Sequence, residues 1–134
     1  IAAEVKFMVV GAHALAVHGR PRATGDLDVW VDRTDVNATR VLQALTTFGA
    51  PVSELTASDL ISPDVVFQIG QPPRRIDVLT SLSGVTFEEA WADRVTYTIE
   101  DVSVPFIGRA AFVRNKRATG RQRDLGDLES LGEL

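Results

Sequence analysis

The sequence predicts an α+β fold, a mixed β-sheet flanked by helices, on three observations. Leu27, Val29 and Val31 alternate with Asp26, Asp28 and Trp30 at the period of two that marks a half-buried strand. Val36, Val41, Leu42, Leu45 and Phe48 recur at helical spacing and stop at Gly49. Two runs, Val65 to Ile69 and Arg75 to Leu79, flank Gly70-Gln71-Pro72-Pro73, whose composition makes an antiparallel hairpin. Helices mixed with a partly antiparallel sheet define the α+β class.

Taken in chain order, Val5 to Val10 reads as a short buried strand, broken by Gly11. Ala12, Ala14, Leu15, Ala16 and Val17 favour a short helix that ends near Gly19. Arg20 to Gly25 is a loop, and the Asp26–Val31 strand follows. Asp32 or Thr34 caps the helix that runs to Phe48. From Pro51 to Pro63 the pattern is that of a loop with one helical turn near Leu60. After the hairpin, Phe87 to Trp91 forms a short helix, and Thr96–Ile99 and Val102–Phe106 form two small strands. Two closing helices, Arg109–Arg117 and Gln122–Leu131, are separated by Gly120. Leu125, Leu128 and Leu131 give the last one an apolar stripe suited to core packing.

At 134 residues the chain is expected to form one domain, 1–134. It opens on Ile1 and not Met, which leaves room for residues upstream. The hydrophobic share of 45% is that of an ordinary globular protein with a core of its own. With no cysteine, a disulfide framework and a thiolate zinc site are both excluded, and a reducing cytoplasm is the expected location. The apolar runs are too short to span a bilayer, and no signal-peptide pattern is present. A net charge of −4 argues against a protein that coats nucleic acid over its whole surface.

Asp26 and Asp28 lie two residues apart on a strand, so both side chains leave the same face. Both carboxylates are charged at neutral pH unless something perturbs them, and no Lys or Arg lies between them. A divalent cation relieves that repulsion, and Mg²⁺ is typically held by a few carboxylates together with substrate phosphates. A D-x-D pair alone is a weak signal, because acids at strand ends are usually solvated. A third acid, Asp77, sits within the apolar run Ile76-Asp77-Val78-Leu79, where a charge needs a partner. That partner is either a shared cation or, at an exposed strand edge, Arg74 or Arg75. Gly11, at a strand-to-helix turn, offers backbone N–H groups suited to phosphate oxygens, or else serves as a plain turn residue.

Gly11-Ala12, followed by Gly19-x-x-Arg22-x-Thr24-x-Asp26-Leu27-Asp28-Val29, resembles the signature of the nucleotidyltransferase superfamily related to DNA polymerase β. It looks more narrowly like the small bacterial branch that includes the AbiEii-type toxins. The resemblance continues through Arg75-Ile76-Asp77-Val78-Leu79. It ends in Lys116-Arg117-x-x-Gly120-Arg121-x-x-Asp124-Leu125-x-Asp127-Leu128, so it covers nearly the whole chain. It implies a nucleotidyltransferase-type fold, with Asp26 and Asp28 as paired metal ligands. Asp77 matches the third carboxylate, which orients or deprotonates the attacking hydroxyl. Gly11 and Ala12 match the turn that holds the β- and γ-phosphates of a nucleoside triphosphate. Arg22 and Thr24 are placed to grip phosphate oxygens. The superfamily usually has Gly-Gly or Gly-Ser at that turn, and Ala12 departs from it.

The implied reaction is a Mg²⁺- or Mn²⁺-dependent transfer of a nucleoside monophosphate from an NTP to an acceptor: a tRNA end, a protein hydroxyl or a small molecule. The AbiEii-type toxins act on tRNA, so the resemblance leaves open a toxin–antitoxin role with an antitoxin partner. The alternative is a module that binds nucleotide or protein and has kept the fold without turnover. Arg109, Arg114, Lys116, Arg117, Arg121 and Arg123 form a stretch without an acid. Lys116 and Arg121 are the cations expected to face the Asp28 cleft and meet the triphosphate or the acceptor's phosphates. The competing expectation for this stretch is a solvated, salt-bridged helix end. His13 and His18 are five residues apart, which does not stack them for a shared zinc ion. Trp30 and Trp91 are expected in the core, with Trp30 on the face of Asp28, where it could also line a base pocket.

Overall fold

A computed structural model describes residues 4–11, 27–71, 75–99, 101–120, 126 and 128–129. Among them are six strands: β1 (Phe7–Val10), β2 (Leu27–Val31), β3 (Val66–Ile69), β4 (Ile76–Leu79), β5 (Val95–Ile99) and β6 (Val102–Phe106). Four helices accompany them: α1 (Asp35–Phe48), α2 (Ala57–Ile61), α3 (Phe87–Ala92) and α4 (Arg109–Thr119). The strands form one sheet in the order β3-β4-β2-β1-β6-β5. β1–β2, β3–β4 and β5–β6 pair antiparallel, whereas β1–β6 and β2–β4 pair parallel. This is the expected α+β architecture, a mixed sheet flanked by helices.

The period-two pattern divides each strand between two apolar layers. Phe7, Val9, Val31 and Val78 face the side covered by Ala38 and Val41 of α1 and Leu60 of α2. Met8, Val10 and Trp30 face the other side, under Ala90 of α3 and Ala111 and Phe112 of α4. Asp28 and Asp77 have the sequence parity of Trp30 and Leu79, which places them on this second face.

Three helices start at a threonine. Thr34, Thr56 and Thr86 each accept a hydrogen bond from the backbone N–H three residues on. Thr34, and not Asp32, is therefore the cap of α1. Asp59 and Glu89 return a bond to their own cap residues, closing two capping boxes. The expected turn near Leu60 is thus a short capped helix with Leu60 fully buried. Leu128 is also fully buried, in keeping with its place in the apolar stripe. The helix expected after Gly11 and most of the one expected over Gln122–Leu131 lie outside the described residues.

Asn37 locks the start of α1 to the sheet. Its Oδ1 accepts from Lys6 N at 2.7 Å, while its Nδ2 donates to the carbonyls of Lys6 (3.0 Å) and Asp32 (2.9 Å). The entry to β1 and the exit of β2 are held by one buried amide.

Candidate functional site

The site begins where β1 ends. Gly11 has φ of 71°, in the left-handed region. A Cβ there would collide with Asp28 Oδ2, so the Asp28 carboxylate lies directly against the Gly11 α-carbon. Two independent requirements, backbone conformation and lack of space, therefore specify glycine. Asp28 enters this position because β2 pairs antiparallel with β1 in the register Val10↔Asp28.

On its other flank, β2 pairs parallel with β4 in the register Asp28↔Asp77. The two acids are direct neighbours across the ladder, on the same face. A hydrogen bond from Leu27 N to Arg75 O, 2.9 Å, fixes this register at its start. Asp77 is 8% exposed, in a strand flanked by β3 and β2. The exposed-edge setting considered for an arginine partner is therefore absent, yet an arginine partner is there. Arg75 Nη2 donates to Asp77 Oδ2 at 3.1 Å, and its Nε lies 2.9 Å from Oδ1. The second approach lacks the alignment of a hydrogen bond, so the pair combines one hydrogen bond with one close charge contact.

Lys116 lies on α4, the helix that covers the same sheet face through Ala111 and Phe112. It is 5% exposed, with its ammonium 5.4 Å from the Phe112 ring centroid. The solvated-helix-end expectation therefore fails for this residue, though it describes Arg114, whose Nη1 meets Glu89 Oε2 at 3.1 Å in the open. Arg109 and Arg117 are exposed. Asp93 supports the helix from outside: its Oδ2 accepts from Ala111 N at 3.3 Å, at an N-terminus that Gly108 leaves without a side-chain cap.

Asp26, Ala12, Arg22, Thr24, Arg121, His13 and His18 lie outside the described residues. Among the described residues no group of three His, Asp or Glu side chains gathers in a metal-binding arrangement, and the third acid expected with Asp28 and Asp77 is Asp26. Trp30 is 1% exposed and meets Phe87 edge-on, with ring centroids 5.1 Å apart. It also borders a pocket of about 550 Å³ lined by Asp32, Thr34, Asp64 and Thr80, beyond the end of β2 opposite Asp28. No described helix is long and apolar enough to cross a membrane.

A mixed six-stranded sheet in this order, flanked by helices, is a nucleotidyltransferase-type fold by its likeness to a solved structure. The chain is similar to the crystal structure of a "putative nucleotidyltransferase" from Thermotoga maritima, with a TM-score of 0.61 and 13% sequence identity, covering 98% of this chain and 84% of that one. The likeness is one of fold and does not single out a branch. No family model and no curated protein matches the sequence.

Proposed function

We propose that the chain is a metal-dependent nucleotidyltransferase, moving a nucleoside monophosphate from an NTP to an acceptor hydroxyl. The reading rests above all on the Asp28↔Asp77 register beside Gly11, on a sheet with this fold. Two carboxylates on one face, one pressed against a side-chain-free turn, are a hard oxygen donor set that suits Mg²⁺ or Mn²⁺. Asp28 and Asp77, joined by Asp26, would hold the cation. A bound divalent ion supplies charge neutralisation for the attacking and leaving oxygens of an in-line displacement.

The chain's own residues do the rest. Asp77 orients the acceptor hydroxyl and takes its proton as the new oxygen–phosphorus bond forms and pyrophosphate leaves. The Gly11 turn, with Ala12, lets phosphate oxygens approach the backbone. Arg22, Lys116 and Arg121 compensate the polyphosphate charge that the metal leaves over, and the Thr24 hydroxyl donates to a phosphate oxygen. The acceptor is a tRNA end, a protein hydroxyl or a small molecule, and an antitoxin partner accompanies the first of these. A second reading, binding without turnover, is favoured by Ala12 at the phosphate turn and by the arginine already engaged with Asp77.

Incubation with α-³²P-labelled NTPs, Mg²⁺, total RNA and cell protein tests the choice. Label transferred to an acceptor by the wild type and not by Asp28→Asn supports the enzyme. Nucleotide binding with no transfer in any fraction supports the second reading.

A further inference from the structure

We propose that Arg75 is a built-in counter-ion for Asp77 that a divalent cation must displace, so that cation entry and release of the guanidinium are one event. The inference rests on the metal-binding reading of Asp28 and Asp77. Its basis is that Asp77 is already engaged on both oxygens, Oδ2 by Arg75 Nη2 and Oδ1 by the approach of Nε. A carboxylate this buried requires charge compensation, and Asp28 across the ladder adds repulsion. Gln68, the ladder partner of Asp77 on β3, carries no charge to help. Arg75 supplies the compensation from the position just before β4, two residues ahead of Asp77 in the chain.

The pair is also built to open. Arg75 is held at its backbone, where its carbonyl accepts from Leu27 N, so the β2–β4 register does not depend on where the guanidinium lies. Its side chain is 26% exposed against 12% for Asp77, so part of the arginine borders solvent while the carboxylate lies deeper. A cation bound between Asp28 and Asp77 takes over the neutralising role. Guanidinium and cation then compete for one carboxylate, and such competition is a reciprocal coupling free energy.

Isothermal titration with Mn²⁺, together with thermal unfolding at increasing Mn²⁺, on wild type, Arg75→Gln, Arg75→Lys and Asp28→Asn provides the test. Removing the competitor should tighten Mn²⁺ binding by about tenfold in Arg75→Gln, within the usual range of such couplings. The same variant should melt lower than wild type without metal and show a larger metal-induced rise. Arg75→Lys, which keeps the charge but loses the fork, should fall between the two, and it carries the test if Arg75→Gln does not fold. Wild-type affinity in both Arg75 variants overturns the counter-ion role while leaving the metal site intact. Weaker binding overturns it too, making Arg75 a support that orients Asp77 for the ion. No Mn²⁺ binding by any variant, or undiminished binding by Asp28→Asn, overturns the metal-binding reading itself and this inference with it.

Discussion

Gly11 carries two constraints at one α-carbon: a positive φ and the Asp28 carboxylate where a Cβ would lie. Gly11→Ala should cost about 1–2 kcal/mol from the left-handed backbone alone. The displaced carboxylate adds to that, so a melting temperature lowered by about 5 °C or more is expected in a scan. Asp28→Asn should behave in the opposite way. Without metal it relieves repulsion with Asp77 and should melt no lower than wild type, while the rise produced by Mg²⁺ should largely vanish. A rise unchanged in Asp28→Asn would locate the cation elsewhere. Lys116 needs a different substitution from the one its sequence context suggests. Its burial means that Lys116→Ala would leave a cavity and confuse packing with charge. Lys116→Met keeps the stem and removes the ammonium. Nucleotide affinity should then drop about tenfold, the worth of one charged hydrogen bond, with the melting temperature held. Normal affinity with a lowered melting temperature would make Lys116 structural.

At the scale of the element, α3 is held by chemistry local to four residues and by one distant cation. The Glu89 carboxyl titrates below its ordinary value. The Thr86 backbone N–H contributes most and then the Thr86 hydroxyl; desolvation opposes them, and the attraction of Arg114 on α4 adds to the lowering. Because the folded value is the lower one, this stabilisation is complete above the glutamate value of the unfolded chain. It is lost as pH falls through the folded value. Glu89→Gln should therefore reduce stability near neutrality and flatten the acid limb of a melting-temperature profile below about pH 4.5. An acid limb identical to wild type would show that the capping box does not persist in solution. Thr86→Ala removes the other half of the box and should cost about 1 kcal/mol. These caps are written plainly in the chain as Thr-x-x-Asp at 56–59 and Thr-x-x-Glu at 86–89. The capping-box pattern alone would have turned the loop expected over 51–63 into the short helix that is there.

At the scale of the whole molecule, one sheet separates two apolar layers, and the buried Asn37 amide ties β1, β2 and α1 together. Asn37→Ala leaves two carbonyls and one N–H of the sheet margin without their partner. A loss of about 2–4 kcal/mol is expected, read as a lower denaturation midpoint at constant m-value. A loss within about 0.5 kcal/mol, the range of ordinary surface changes, would show that water replaces the amide.

The sequence by itself determined the class of fold, because strand and helix periods are local properties of the chain. Alternation at 27–31 already put Asp28 on the face of Trp30, and the hairpin composition at 70–73 already paired β3 with β4. It also marked Asp77 as an acid needing compensation, since burial within Ile-Asp-Val-Leu can be read from its neighbours. Tertiary structure decided what that compensation is. Strand order placed β4 between β3 and β2, which removed the exposed edge, made Asp28 the neighbour of Asp77 and brought Arg75 onto its carboxylate. Lys116 shows the same division. Its charge is visible in the chain, within a stretch that reads either as a phosphate-facing patch or as a solvated helix end. Only the packing of α4 on the sheet buries it, because the side a helix turns inward is set by the surface it meets.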